Sequence, residues 1–356
     1  MYNIDDIIKS NPFSYKKSNK KKIFNKYFSE LDKYHYKNCK DYRKVVDNLG
    51  TKIKKDDKLK DFTMIPINLF KIFDLLSVDK GKIVKKVFSS GTSGQNLSKI
   101  FLDRINSKNQ MKVLSKILEN IFGKERLPMI IVDKDPRHNA KLDFNAKTAA
   151  ILGFSLFGKN HCYILNNKEN VDINLLKNFL KKYDSKKFII FGFTGQIFKY
   201  LLKKSNIKYP SFNFKNGILL HGGGWKKLEK FKINNIEFKK KLNKKLKIRK
   251  VYNYYGLVEQ TGSIFIEGKN CGYLHTSIFS DLLIRDKNFK VLKNNEKGLI
   301  QLFSLLPTSY PGHNILTEDI GEIKGEDDCK CGLKGKYFLV HGRIKRSEVR
   351  GCSDVR

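Results

Sequence analysis

The pattern of apolar and polar residues along the chain changes twice. Up to about residue 80 the sequence is polar, and short apolar periodicities predict a helical N-terminal region over 1–80. From 81 to 256, short apolar runs alternate with segments of helical spacing. Over 257–345 the runs are short, bounded by Gly, Asn and Asp turns, and typical of a β-rich subdomain. A short tail, 346–356, follows.

The middle region carries the strongest signal. Its predicted strands are Lys82–Phe88, Met129–Val132, Tyr163–Leu165, Phe188–Phe191 and Gly217–Leu220. Helical spacing between them predicts an α/β core with a mostly parallel sheet covered on both faces. Ligands bind at the carboxyl ends of parallel strands. The loops that follow Phe88, Leu220 and Tyr255 are therefore expected to meet at one site.

Composition and charge indicate which classes of ligand the protein could bind. The 356 residues are 40% hydrophobic, an ordinary globular composition, but the net charge is +37. Because Lys is spread along the whole chain, we favour compositional bias and anionic substrates over a nucleic-acid-binding module, which stays as the weaker alternative.

The N-terminal residues lack the basic-then-apolar pattern of a signal peptide, and no apolar stretch approaches the ~20 residues of a membrane span, so we expect a cytoplasmic protein. Its six cysteines are then expected to be thiols, metal ligands or a nucleophile rather than disulfides.

A Ser/Gly-rich loop after the first strand of the core has the composition of a phosphate-binding loop. Its residues are Ser89, Ser90, Gly91, Thr92, Ser93 and Gly94. Small residues allow phosphate to approach the backbone, hydroxyl and N–H groups donate hydrogen bonds, and Lys99 is a nearby cation. A surface turn is the alternative on composition alone.

Four further segments follow the loop in a fixed order: Gly222-Gly223-Gly224 after His221, Tyr255-Gly256 with Glu259, Thr317-Glu318-Asp319, and Gly342-Arg343. Together with the loop they resemble the motifs of the adenylate-forming superfamily, which implies ATP as cosubstrate. The resemblance also implies that Glu259 helps hold Mg²⁺ and that Asp319 accepts hydrogen bonds from the ribose hydroxyls. It further implies that Arg343 contacts the ribose or phosphate and that Tyr255 stacks near the adenine. Outside this context, Glu259 would be read as a surface carboxylate and Asp319 as a turn residue.

Longer segments resemble one family in particular. Ser89–Gly94, His221–Lys227, Tyr254–Ser263, Ser304–His313 and Glu348–Asp354 are similar to the LuxE family of acyl-protein synthetases. Members activate a fatty acid as its acyl adenylate, move the acyl group to their own cysteine, and pass it to a partner acyl reductase. The resemblance implies that Cys352 is this acyl acceptor, and a thiolate can form a thioester from an acyl adenylate. An incidental tail cysteine is the alternative.

The length of the chain also helps to distinguish an acyl-protein synthetase from a coenzyme A ligase. The sequence ends soon after Arg343, so we expect no full C-terminal lid domain. An acyl- or aryl-CoA ligase on the same fold, of the phenylacetate-CoA ligase type, is the alternative function. For the LuxE-type reading, an acyl-reductase or acyl-carrier protein is the expected partner.

A last constellation has the residue types of a metal site. Cys271 and His275 are separated by three residues, and Cys329 and Cys331 by one. Three thiolates and one imidazole form a tetrahedral set of ligands for Zn²⁺, which would be structural because no position stays open. A simple turn at Cys329–Cys331 is the alternative.

Overall fold

The computed structural model describes residues 4–9, 11–49, 58–89, 97–138, 146–203 and 212–344. Within these ranges the α-helices are α1 (Lys17–Asn38), α2 (Lys40–Asn48), α3 (Leu69–Ile72), α4 (Arg104–Phe122), α5 (Ala146–Ser155), α6 (Ile173–Lys182), α7 (Thr194–Ile197) and α8 (Asn235–Leu246). The strands are β1 (Ile65–Pro66), β2 (Ile83–Phe88), β3 (Lys99–Asp103), β4 (Leu127–Ile131), β5 (Gly158–Tyr163), β6 (Phe188–Phe193), β7 (Gly217–Gly222), β8 (Lys250–Tyr255), β9 (Phe265–Glu267), β10 (Leu274–His275), β11 (Ser280–Arg285), β12 (Gly298–Ser304), β13 (Asn314–Glu326) and β14 (Lys336–Arg343).

One sheet of 12 strands runs through the molecule in the order β11-β12-β13-β14-β10-β9-β8-β7-β6-β4-β5, with β1 added beside β13. The half from β5 to β8 is parallel, and the half from β9 to β11 is antiparallel. The two halves join where Tyr254 of β8 pairs antiparallel with Ile266 of β9. The predicted α/β class with a mostly parallel core and a β-rich second part is confirmed.

The inner parallel strands β4, β6 and β7 are mostly apolar and buried, as expected for strands covered on both faces. All six residues of β7 are buried, as are the first five of β6. The covering helices begin at side-chain caps: Asp103 accepts a hydrogen bond from the backbone of α4, Asp172 from α6 and Asn234 from α8. The start of each of these helices is therefore determined by a residue next to it in sequence.

The strand that precedes the Ser/Gly-rich loop departs from the sequence-based expectation. We expected the loop after Phe88 to leave the carboxyl end of a parallel strand. Instead β2 pairs antiparallel with β3, Phe88 opposite Lys99, in a separate two-stranded sheet. Residues on β2 alternate between partly buried and exposed, the pattern of an antiparallel strand with one face in water. The loop therefore connects the two strands of a hairpin.

The longest described helix of the N-terminal region, α1, packs on the antiparallel half of the sheet. Helix α1 buries Phe24 and Phe28, and the ring of Phe28 lies edge-on to Phe303 of β12 with centroids 5.5 Å apart. The same buried stripe carries polar residues, Asp32 and His35 among them. Among the helices within the described ranges, none has the length and apolar character needed to cross a bilayer.

Candidate active site

Three strands bring a tyrosine, a carboxylate and an arginine into direct contact. The hydroxyl of Tyr255, at the end of β8, donates a 2.6 Å hydrogen bond to Asp319 Oδ2. Arg343 lies opposite Asp319 in the β13–β14 pair and donates from Nε to Oδ1 at 3.0 Å. The Thr317 hydroxyl accepts a hydrogen bond from the Asp319 backbone N–H. Burial, and then the neighbouring Asp319, raise the pKa of Tyr255 well above its usual value, so the phenol stays a donor.

The second carboxylate is Glu259, which lies in a 3₁₀ turn, Val258–Gln260, just beyond β8. Glu259 is only 4% exposed, and its carboxylate is hydrogen-bonded to the Ser98 side chain. Burial raises the pKa of Glu259, and Ser98, Arg343 and Lys71 offset that increase in part. Burial disfavours the ionised form of this carboxylate. A cation bound beside it would stabilise the ionised form.

The base of the β2–β3 hairpin lies beside Glu259. Ser89 donates its backbone N–H to the Ser98 carbonyl at 3.0 Å, and Ser98 donates its own N–H to Ser89 Oγ at 2.9 Å. Because Ser98 also contacts Glu259, the Ser/Gly-rich loop begins and ends next to that carboxylate. The remaining predicted loop residues, Ser90, Gly91, Thr92, Ser93 and Gly94, lie outside the described residues.

Lys99 is the first residue of β3, and the described chain resumes two residues before it, at residue 97. Its Nζ forms an ion pair with Asp74 Oδ1 at 2.9 Å, and both side chains are partly exposed. The predicted role of Lys99 as a phosphate contact stays a prediction.

The triglycine turn after β7 is closely packed at its first glycine. A side chain on Gly222 would lie 2.5 Å from the Tyr254 ring. Gly223 has φ +75°, a left-handed conformation that favours glycine, and Gly224 opens onto free space. Gly256, just after β8, is also closely packed, since a side chain there would lie 3.1 Å from Ile264.

A buried histidine and a threonine hold this turn. Burial, and then Lys239, lower the pKa of His221 to about 3, so its ring is neutral. Thr194 Oγ1 donates to the Gly222 carbonyl at 3.1 Å and lies 3.0 Å from His221 Nδ1, which is then the ring nitrogen that donates. Thr194 therefore fixes the turn.

The four predicted metal ligands meet on a separate part of the antiparallel half. Cys271 follows β9, His275 lies on β10, and Cys329 and Cys331 lie in the turn between β13 and β14. Their ligand atoms all lie within 4.8 Å of one another. Cys331 Sγ is 3.3 Å from His275 Nε2 and 3.4 Å from Cys329 Sγ.

This cluster fits a tetrahedral zinc ion. With ordinary Zn–S and Zn–N bond lengths, the ligand atoms would be about 3.5–3.8 Å apart. His275 Nδ1 lies 2.9 Å from the Tyr273 carbonyl, so it carries the proton and Nε2 faces the sulfurs with its lone pair. A side chain on Gly268 would come within 2.5 Å of Cys331 Sγ, so the cluster requires glycine there.

Sequence reasoning missed two residues that support Glu259. Ser98 binds its carboxylate, and the Tyr310 hydroxyl donates to its backbone carbonyl at 2.9 Å. Tyr310 lies in the segment Ser304–His313, whose sequence resembles the LuxE family but suggested no role for this residue. Cys352, the predicted acyl acceptor, lies outside the described residues.

Comparison with known proteins gives a family and a fold. The model of the family described as "Acyl-protein synthetase, LuxE" matches residues 1–356. The long-chain-fatty-acid–luciferin-component ligase of Vibrio harveyi is 23% identical over 358 residues, covering 98% of this chain and 92% of that protein.

Among solved structures, 2-hydroxyisobutyryl-CoA ligase, in an open conformation with 2-HIB-AMP and CoA, superposes with a TM-score of 0.72 at 13% identity, covering 94% of this chain and 77% of that one. The same ligase in its postadenylation state gives a TM-score of 0.71 at 12% identity, covering 94% and 70%. These structures share the fold of the sheet on which the site is built.

Proposed function

Because the chain belongs to the LuxE family of acyl-protein synthetases, we propose that its site forms a fatty acyl adenylate and passes the acyl group to Cys352. The protein is an ATP-dependent, AMP-forming ligase that activates a carboxylic acid and transfers the acyl group. The substrate and the acceptor are the parts that we propose: a medium- or long-chain fatty acid and the thiol of Cys352. The Vibrio harveyi relative, named for its long-chain fatty acid, supports that substrate class.

The observation that carries the proposal is the contact between Asp319, Tyr255 and Arg343 beside the hairpin loop and Glu259. Asp319 has one oxygen on Tyr255 and one on Arg343, which fixes the plane of its carboxylate. Each oxygen has a lone pair left that can accept from a ribose hydroxyl. Arg343 uses Nε for Asp319, which leaves its terminal nitrogens for phosphate.

Glu259 would help hold Mg²⁺, which would offset the charge of the ATP phosphates. Magnesium binds hard oxygen ligands and is commonly held by one or two carboxylates together with substrate phosphates. When bound, the ion would neutralise charge that develops on the departing pyrophosphate. Ser98 keeps the Glu259 carboxylate oriented towards the ends of the loop.

The reaction has two steps. A carboxylate oxygen of the fatty acid attacks the α-phosphorus of ATP, the bond to the bridging oxygen breaks, and pyrophosphate leaves. The Cys352 thiolate then attacks the carbonyl carbon of the acyl adenylate, and AMP leaves with the former carboxylate oxygen. The thioester product is reactive enough to pass its acyl group onward, and we propose an acyl-reductase or acyl-carrier protein as the recipient.

We also propose that Cys271, His275, Cys329 and Cys331 bind one structural Zn²⁺. The short distances between their ligand atoms support this, as does the proton position on His275. The ion would join the β9–β10 connection to the β13–β14 turn, and it would stabilise the strand that carries Arg343 at its far end.

The acyl-acceptor role is tested with ATP, Mg²⁺ and a radiolabelled fatty acid. Wild type is expected to retain label on the protein after denaturation, and hydroxylamine should release it. Cys352→Ala should lose the label and keep ATP–pyrophosphate exchange, whereas the control Cys162→Ala, at a buried thiol of β5, should behave like wild type.

Two results would overturn the assignment. Full labelling of Cys352→Ala would place the acyl group on another residue. Absence of label on wild type, together with rapid release of acyl-CoA when coenzyme A is added, would make the protein a coenzyme A ligase on the same fold.

A further inference from the structure

The loop that joins β12 to β13 contacts the backbone of Glu259 and the side chain of Gln260. Tyr310 donates its hydroxyl to the Glu259 carbonyl at 2.9 Å, and Gln260 Nε2 donates to the Gly312 carbonyl at 2.9 Å. A side chain on Gly312 would lie 2.5 Å from the Glu259 carbonyl oxygen, so the loop requires glycine there. The position of this loop therefore fixes the peptide that carries the Glu259 carboxylate.

Side chains of helix α1 form hydrogen bonds with the same loop. His313 Nε2, at the end of the loop, lies 2.9 Å from Asp32 Oδ1, and the Tyr42 hydroxyl donates to that same oxygen at 2.6 Å. One turn further along α1, His35 Nε2 lies 3.0 Å from the Pro307 carbonyl. Asp32, His35 and His313 are each at most 1% exposed.

The proton positions in this group follow from its partners. Burial, and then the neighbouring His313, hold the pKa of His35 well below its usual value, so the His35 ring is neutral. Because a carbonyl can only accept, His35 Nε2 carries the proton that bonds to Pro307. Nδ1 is then the acceptor for the Ser77 hydroxyl at 2.7 Å. The two imidazoles stack with centroids 4.7 Å apart.

Stability alone does not account for this group. Replacing a buried ion pair by apolar residues of similar volume is often neutral or stabilising, so a buried polar group is weak evidence for a purely stabilising role. In addition, His313 Nδ1 has no hydrogen-bond partner among the residues that the structure describes. Hydrogen bonds, unlike apolar contacts, depend on direction. Each one therefore fixes the position of one loop atom relative to α1.

We propose that Asp32, His35 and His313 are positioning residues that act on Glu259 through the loop 305–313. The inference rests on the proposed role of Glu259 as a magnesium ligand. It gives the N-terminal helix a part in the reaction, since the strength of magnesium binding depends on contacts made from α1.

The test uses the full chain with two graded variants and one matched control. Asp32→Asn keeps the shape of the side chain and removes its charge, and Tyr42→Phe removes one donor to it. Lys20→Met is the control: Lys20 lies on the same helix, is 2% exposed and bonds to Thr276, away from the loop. The first readout is the Mg²⁺ concentration for half-maximal fatty-acid-dependent ATP–pyrophosphate exchange. The second is amide hydrogen exchange over 257–263 and 305–314.

Asp32→Asn is expected to raise the half-maximal Mg²⁺ concentration roughly fivefold, because charge-assisted hydrogen bonds are about twice as strong as neutral ones. Tyr42→Phe should give a smaller rise, and Lys20→Met should match wild type. In Asp32→Asn the amides of 257–263 and 305–314 should exchange faster, while Lys20→Met leaves them protected. A Mg²⁺ shift as large in Lys20→Met as in Asp32→Asn, or unchanged protection in Asp32→Asn, would refute the positioning role.

The two claims can be separated by these readouts. If wild type shows no exchange with any acid, the proposed function fails, and amide protection alone still decides whether α1 holds the loop. If exchange occurs with wild-type Mg²⁺ dependence in Asp32→Asn, the function stands and the positioning role fails.

Discussion

Replacing Glu259 with glutamine separates the charge of this carboxylate from its shape. Glu259 is 4% exposed, and burial raises its pKa despite the Ser98 hydrogen bond and the nearby Arg343 and Lys71. The folded protein therefore binds a proton at this site more tightly than the unfolded chain does. The ionised carboxylate costs stability at neutral pH, and that cost disappears below the unfolded pKa, where both states are protonated.

Glu259→Gln should therefore unfold at a higher temperature than wild type at pH 7.5. The gain is about 1.4 kcal/mol for each unit by which the folded pKa exceeds the unfolded one. For comparison, replacing a buried ion pair by apolar residues of similar volume is often neutral or stabilises by about 1–4 kcal/mol. In a chain of this length each kcal/mol raises the melting temperature by about 1.3 °C, from the average unfolding entropy per residue. The difference should shrink towards zero as the pH falls to about 4.5.

The assay is thermal unfolding of both proteins between pH 4.5 and 7.5, with and without Mg²⁺ and ATP. Saturating Mg²⁺ and ATP should raise the melting temperature of wild type more than that of Glu259→Gln, which should also lose most of its pyrophosphate exchange. A variant that is less stable than wild type at pH 7.5, or a difference that does not change with pH, would refute the view that burial opposes the charge.

Three further substitutions test other parts of the site. Cys331→Ser should lose bound zinc by elemental analysis and melt at a lower temperature, whereas Cys162→Ser, outside the cluster, should keep the metal; equal zinc in both variants would refute the site. Lys99→Met should cost less than about 1 kcal/mol in urea unfolding because its ion pair is partly exposed, yet reduce exchange at least tenfold, while Asp74→Asn keeps exchange. Tyr255→Phe should raise the KM for ATP roughly tenfold with a smaller change in kcat, and an unchanged KM would contradict its place beside the nucleotide.

Local sequence signals predicted the parallel half of the sheet well. Strands such as β6 and β7 are continuous apolar runs ended by Gly-rich turns, and each property can be read from a few neighbouring residues. The β-rich second part was predicted for the same reason. The pairing partner of β2 was not, because its apolar alternation is the same whether it joins the main sheet or forms a hairpin with β3.

Some residues of the motifs named from the sequence lie far apart along the chain and are in contact in the structure. Tyr255 and Asp319 are 64 residues apart in sequence and bond directly. Spacing could not show the contact between Asp32 and His313, which are 281 residues apart. A signal was nonetheless present: Asp32 and His35 interrupt the apolar stripe of α1, and a polar residue on a buried stripe needs a partner.

The most direct test of the central claim is ATP–pyrophosphate exchange across a panel of carboxylic acids, measured with wild type and Asp319→Asn. We predict Mg²⁺-dependent exchange that requires a medium- or long-chain fatty acid and falls at least tenfold in Asp319→Asn, since that change removes a charge held by Tyr255 and Arg343. Folded wild-type protein that gives no exchange with any acid in the panel, or exchange that Asp319→Asn leaves intact, would contradict the account.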